Sequence, residues 1–136
     1  MLYAFINDNI VKKLEDISED ELQGSLHLYQ QIIPVSQFSR TPKVGWIFDN
    51  GQVYPDIKPV TPRQIRQAWI LSGKQLSEID DAIAALPEPT RSLAKTEWEY
   101  STMVFRRNKL VGLLAQSQGY TEDELDQLWI FAGSLP

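Results

Sequence analysis

The chain has 136 residues, 43% of them hydrophobic, which suits one ordinary domain or two small modules with packed cores. Thirteen Lys and Arg residues against 18 Asp and Glu residues give a net charge of −5, which argues against a nucleic-acid-binding protein. There is no cysteine, no apolar run long enough to span a bilayer and no signal-peptide pattern, so we expect a soluble protein that folds in a reducing compartment without disulfides.

The first part of the chain carries strand and turn patterns around one short helix. Residues 2–6 and 10–16 flank an Asn-Asp-Asn turn, which predicts a β-hairpin because Asn and Asp tolerate left-handed backbone. Ser18 and Glu21 form the capping box of a helix, whose length Gly24 leaves open. The following stretch, residues 32–42, is expected to be extended or looped.

A second hairpin is predicted around Asn50 and Gly51, because Asn-Gly supplies the positive φ angles of a tight turn. Its strands are residues 44–48 and 52–54. Three prolines in residues 55–62 then mark a connector. We therefore divide the chain into an N-terminal α/β module with β-hairpins, residues 1–57, and a C-terminal helical module, residues 58–136.

The second module is predicted to be a bundle of about five short helices, which makes the fold class α+β. Caps, prolines and glycines place these helices at residues 61–73, 74–86, 89–107, 108–119 and 121–132. The third helix is the longest, and its expected inward residues include Leu93, Trp98, Ser101 and Phe105.

Two of these helices have related sequences, TPRQIRQAWILSG at residues 61–73 and TEDELDQLWIFAG at residues 121–133. Helix capping explains the shared Thr, the Gln or Glu three residues later and the closing Gly. It does not explain the shared Trp-Ile pair, although any bundle helix shows an apolar stripe. We favour the interpretation that two bundle helices use the same capping and core residues, rather than an internal duplication.

No arrangement of residues for catalysis or metal binding is evident, and the protein is therefore predicted to be non-enzymatic. His27 is the only histidine and has no nucleophile-elbow pattern near it. The acidic runs at residues 16–21 and 121–126 lack the spacing of a calcium loop and suit the first turns of helices. Glu97 and Glu99 diverge around a helix. An enzyme that uses Glu97 or His27 is the weakest alternative, and no cofactor is expected.

Aromatic and arginine residues remain, and these residue types anchor protein interfaces. The competing interpretation buries the tryptophans in a core and leaves the arginines solvated. The predicted partner-binding residues are Trp46, Tyr54, Trp69, Arg106, Arg107 and Trp129.

Several short motifs resemble the C-terminal helical segment of tailed-bacteriophage tail and tail-fibre-associated accessory proteins. They are T-x-R-Q-I-R, I-x-x-A-I-A-A-L-P, E-W-E, F-R-R and a closing helix, and the hairpin VGWIFDNGQVYP resembles one that precedes the segment in short phage tail proteins. Together they span residues 44 to about 131. The chain departs from the pattern at Trp69 and Trp129, which replace smaller side chains, and at Lys109, where proline is common.

The resemblance implies a non-enzymatic structural or adaptor protein of the virion tail, assembled in the host cytoplasm. Its expected partners are tail-fibre or baseplate proteins in a larger hetero-oligomeric assembly, with no nucleic acid and no membrane. The resemblance transfers no catalytic residues. The alternative is a tail-fibre assembly chaperone that is not retained in the virion.

Overall fold

All five strands precede the last five α-helices of the chain in the computed structural model, which describes all 136 residues. The chain divides into two compact units, Met1–Asp56 and Ile57–Pro136. The division falls one residue before the predicted boundary. The first unit is an antiparallel sheet with one helix, and the second contains five helices. The predicted α+β class is confirmed.

The five strands of the first unit form one antiparallel sheet. They are β1 (Leu2–Asn7), β2 (Ile10–Asp16), β3 (Gln31–Pro34), β4 (Ile47–Asp49) and β5 (Gln52–Tyr54). Their order across the sheet is β3-β1-β2-β4-β5. The stretch expected to be extended or looped thus supplies β3, an edge strand that pairs with β1.

Both predicted hairpins are present. Asp8 and Asn9 (φ 54° and 59°) turn between β1 and β2, and Asn50 and Gly51 (φ 50° and 80°) turn between β4 and β5. These are the left-handed conformations that such two-residue turns require. Strand β4 begins three residues later than predicted, because Gly45 adopts φ 94° and interrupts the extended backbone.

Side chains of β1 alternate between the two faces of the sheet, as the period of a strand requires. Tyr3 and Phe5 pack with Ile17, and Ala4 and Ile6 belong to a separate core cluster. Helix α1 (Glu19–Ser25) begins with the predicted capping box, and its Leu22 packs against the cluster of Tyr3 and Phe5.

The second unit contains the predicted number of helices. They are α2 (Pro62–Leu71), α3 (Leu76–Ala84), α4 (Thr90–Tyr100), α5 (Lys109–Ser117) and α6 (Glu122–Gly133). Thr61 and Gln64 cap α2, and Thr121 and Glu124 cap α6 with the same reciprocal hydrogen bonds. No helix is both long enough and apolar enough to cross a lipid bilayer.

The prediction that one helix covers residues 89–107 is wrong. Helix α4 ends at Tyr100, and Val104 lies in extended backbone that pairs with Val60. The Val104 N–H donates to the Val60 carbonyl at 2.7 Å, and the Val60 N–H donates back at 3.1 Å. These tertiary bonds outweigh the weak helical preference of a β-branched residue.

Helices α2 and α6, which carry the two related sequences, pack against each other in opposite directions. At one end, Gln64 Nε2 donates to the Leu135 carbonyl at 2.8 Å. At the other end, the rings of Trp69 and Tyr120 lie 5.5 Å apart. The two helices bury matching residues in one core, namely Ile65, Ala68 and Trp69 from α2 and Leu125, Leu128 and Trp129 from α6.

The glycines that close the two related sequences differ in role. Gly73 follows α2 with φ 86°, a conformation that favours glycine at a helix end. Gly133 is the last residue of α6, whose cap is Ser134. Gly133 is therefore not the stop that the repeat suggested.

Candidate partner-binding surface

Two of the predicted partner-binding residues, Trp69 and Trp129, belong to the helical core. Their exposed fractions are 5% and 3%. Trp69 Nε1 donates to the Gln75 carbonyl at 2.8 Å, and Trp129 Nε1 donates to the Val104 carbonyl at 3.1 Å. Each indole thus finds the hydrogen-bond acceptor that a buried tryptophan needs. Neither side chain can contact a partner while the unit remains folded.

Arg106 is also buried, with 6% of its surface exposed. Its Nε donates to Asp126 Oδ1 at 2.8 Å, and its Nη2 donates to Glu122 Oε2 at 2.7 Å. Asp126 is 4% exposed, so this ion pair lies inside the unit and joins the segment after α4 to helix α6. The adjacent Arg107 is exposed. Within the F-R-R motif, Arg106 is therefore buried, and its neighbours Phe105 and Arg107 point outward.

The predicted residues of the first unit lie at its surface but are not fully exposed. Trp46 is half-buried against the core cluster of the sheet, and the Arg40 guanidinium carbon lies 4.9 Å from the centre of its ring. Tyr54 is half-buried on β5, an edge strand. The positions of Trp46, Tyr54 and Arg107 permit contact with a partner protein. Their role in partner binding stays a prediction.

The most exposed aromatic side chains of the second unit lie at the last residue of α4 and shortly after it. Tyr100 is 76% exposed, Phe105 is 56% exposed and Met103 is 39% exposed. We call residues 100–107 the 100–107 segment. Exposed aromatic and methionine side chains this close in sequence are unusual for a surface that contacts only water.

Backbone geometry explains why the 100–107 segment presents these side chains outward. Exposure alternates through the Val104 bridge and the turn that follows it, because Val104 packs against the core and Arg106 is buried, whereas Met103, Phe105 and Arg107 are exposed. The Val60–Val104 bridge and the Arg106–Asp126 ion pair fix this alternation. The segment is therefore held in place by its inward residues while its apolar residues remain outside.

Leu93 extends the apolar surface along α4. It is 60% exposed and lies seven positions before Tyr100, which places the two side chains on one face of the helix. Leu93 and Phe105 were expected to point inward, and both expectations are wrong. For Phe105 the error follows from continuing α4 through Val104. For Leu93, the residues that pack inward are Ala94 and Trp98.

Two glutamates at the ends of α4, Glu88 and Glu97, have structural partners. Glu88 accepts hydrogen bonds from Ser92 Oγ at 2.7 Å and from Arg91 Nε at 2.8 Å, and these bonds hold the pKa of its carboxyl below its usual value. Glu97 accepts from Ser101 Oγ at 2.8 Å at the end of α4. No group of three or more His, Cys, Asp or Glu side chains is arranged to hold a metal ion.

An apolar cavity of about 90 Å³, partly open to solvent, lies between the helices of the helical unit. Helix α5 forms one wall and has no buried residue of its own, so it covers the cavity with partly exposed side chains. On another side, burial beside Trp69 raises the pKa of Tyr120, and the carboxylates of Glu124 and Glu78 add to the shift. The cavity walls include Trp69, Trp98, Val111, Leu114, Tyr120 and Trp129.

Comparison of the chain with protein-family models, with curated proteins and with solved structures gave no significant match. The 100–107 segment is the strongest candidate for a partner-binding surface on the chemistry and exposure of its own residues. Its outward residues are Tyr100, Met103, Phe105 and Arg107.

Proposed function

We propose that this chain is a non-enzymatic structural or adaptor protein of a phage tail, which binds a tail-fibre or baseplate protein through the 100–107 segment. The observation that carries the proposal is Phe105, a residue of the F-R-R motif that is 56% exposed. Neither core packing nor helix capping accounts for an aromatic residue at this position. The motif resemblance supplies the tail as the setting.

The segment has the composition of an interface centre. Aromatic residues, Met and Arg are enriched where proteins bind one another, and a few such residues dominate the binding free energy. Burying one aromatic side chain of this kind contributes about 1.5–3 kcal/mol before the costs of association. The exposed Lys109 adds positive charge four positions after Phe105 in a chain of net charge −5, which favours a partner surface with an acidic rim.

The test separates binding from folding. The double variant Tyr100→Ser with Phe105→Ser removes the two most exposed aromatic side chains of the segment, and Leu28→Ser, which changes a 60% exposed leucine of the first unit, is the matched control. We expect both proteins to melt within a few degrees of the parent, because surface substitutions rarely change stability by more than about 0.5 kcal/mol.

The readout is quantitative mass spectrometry of purified virions assembled with each protein. The adaptor role predicts stoichiometric incorporation of the parent and of Leu28→Ser, and loss of the double variant. An assembly chaperone predicts absence of the parent from virions together with co-purification with free fibre protein. Absence of the parent from both fractions would contradict a tail function.

A further inference from the structure

All five helices of the second unit contribute to the wall of its apolar cavity. Helix α2 supplies Trp69, α3 supplies Ile79, α4 supplies Trp98, α5 supplies Leu114 and α6 supplies Trp129. Packed protein interiors contain few voids larger than a water molecule, so a cavity of about 90 Å³ with a partly open mouth is a distinctive feature of this unit. Its position and its access to solvent are those of a small-molecule site between the helices of a bundle.

The wall of the cavity presents only apolar atoms to its interior. Trp69 Nε1 and Trp129 Nε1 donate to carbonyl groups within the unit, and Gln118 and Tyr120 contribute only apolar surface to the wall. A buried water needs about two to four polar partners, which this wall does not offer. A polar ligand would likewise lose its hydrogen bonds to water without replacement. The wall therefore favours an apolar ligand.

Helix α5 is the only helix of the second unit without a buried residue. Four of its nine residues are large and apolar, namely Leu110, Val111, Leu113 and Leu114. Val111 and Leu114 line the cavity, as does Ala115. Segments that bury few apolar contacts open at a low cost in free energy, so α5 is the wall that can admit a ligand. A ligand in the cavity would also give α5 apolar contacts that hold it against the other helices.

We infer that the cavity binds a small neutral molecule by an alkyl group of about three or four carbon atoms. Its volume of about 90 Å³ is roughly three times the space of about 30 Å³ that one water molecule takes in the liquid, and it is smaller than an apolar cavity of about 150 Å³ that accepts benzene. The molecule is neutral because an ionised group would find no partner in the wall. The inference does not rest on the proposed tail function, since the wall does not include the outward residues of the 100–107 segment.

The four tryptophans of the chain can report whether the cavity is occupied. Trp69, Trp98 and Trp129 line it, whereas Trp46 belongs to the first unit. Propane, dissolved under pressure to several millimolar, is added to the isotopically labelled full chain, and the indole N–H signals are followed by NMR. We expect the signals of the three cavity tryptophans to shift with a dissociation constant of about 0.5–5 mM, the range open to a ligand of three heavy atoms. The signal of Trp46 should stay in place.

Dimethyl ether is the matched polar ligand, because it has the size and shape of propane and replaces the central methylene group by an oxygen atom. The cavity should bind it at least about tenfold more weakly, because the ether oxygen finds no hydrogen-bond donor in the wall. Propane should also slow the hydrogen exchange of α5 amides, since it adds apolar contacts to this helix. Equal affinity for the two ligands overturns the inference. So does propane that leaves the three cavity tryptophans unshifted, or that shifts Trp46 equally.

Ala115→Leu tests the location of the site, since it adds apolar volume to the wall that α5 contributes. The dissociation constant of propane should rise at least about tenfold. The matched control Ala84→Leu makes the same change at an exposed position of α3 outside the wall and should leave the constant within about twofold. Thermal melts verify that both variants fold. An unchanged constant in folded Ala115→Leu overturns the proposed location, and the comparison of propane with dimethyl ether on the parent chain decides the inference if that variant does not fold.

Discussion

Removing the guanidinium of Arg106 should strongly destabilise the helical unit, because it takes away the positive charge that is ion-paired with the buried carboxylate of Asp126. Both side chains are almost inaccessible, each at 6% exposed, and their hydrogen bond measures 2.8 Å. Breaking a buried pair from one side costs about 3–5 kcal/mol. Glu122, whose side chain is 58% exposed, adds less than about 1 kcal/mol to the pair.

The variant Arg106→Met keeps most of the side-chain volume and removes the charge. For a unit of residues 57–136, a loss of 3–5 kcal/mol lowers the melting temperature by about 12–40 °C. Tryptophan fluorescence during urea unfolding measures the free energy of unfolding of this unit, since three of the four tryptophans lie in it.

A double-mutant cycle completes the test of the ion pair. Combining Arg106→Met with Asp126→Leu replaces the pair by apolar side chains and should recover most of the loss. Glu122→Gln is the exposed control and should cost less than about 1 kcal/mol. A single Arg106→Met variant that costs less than about 1 kcal/mol, or a double variant less stable than either single variant, would refute the reasoning.

Four further predictions concern the helical unit. Trp129→Ala should destabilise it by about 3–5 kcal/mol in urea unfolding, because it opens a cavity beside α2. Thr121→Ala should cost about 1 kcal/mol in the same assay, because it removes the side-chain cap of α6. Tyr120 has its pKa raised above 10.0, so the unfolded chain ionises first and stability should fall as pH rises above about 10; Tyr120→Phe should flatten that decline in pH-dependent melts. Ala115→Leu adds apolar volume at the wall of the 90 Å³ cavity and should raise the unfolding free energy by about 1 kcal/mol, whereas a lower melting temperature would mean that the cavity cannot accept the group.

Local sequence signals predicted most of the fold because helix caps and tight turns depend on residues that are neighbours in sequence. Ser18, Thr61 and Thr121 cap helices, and Asn50-Gly51 turns between strands, as their side chains and backbone preferences dictate. The end of α4 was missed because it depends on Val60, which is 44 residues away from Val104 in sequence. No periodicity within a short window reports such a contact.

The candidate surface was predicted only in part, for a related reason. Residue type directed the prediction to aromatic residues and arginines, but type alone does not separate Arg106 from Arg107. Their separation depends on Asp126, an acidic residue of α6 that faces inward. Phe105 was placed inward because the helix was extended past Tyr100. An accurate end for α4 would have shown that Met103 and Phe105 alternate with Val104.

The antiparallel pairing of α2 with α6 has a consequence for synthesis on the ribosome. Gln64 bonds to Leu135, a residue 71 positions later, and the core around Trp69 needs Leu125 and Trp129 from α6. The second unit cannot bury that core until its last helix has left the exit tunnel. Until α6 has emerged, the nascent chain exposes Trp69 and Ile65 to solvent, so general folding factors should be needed up to that point.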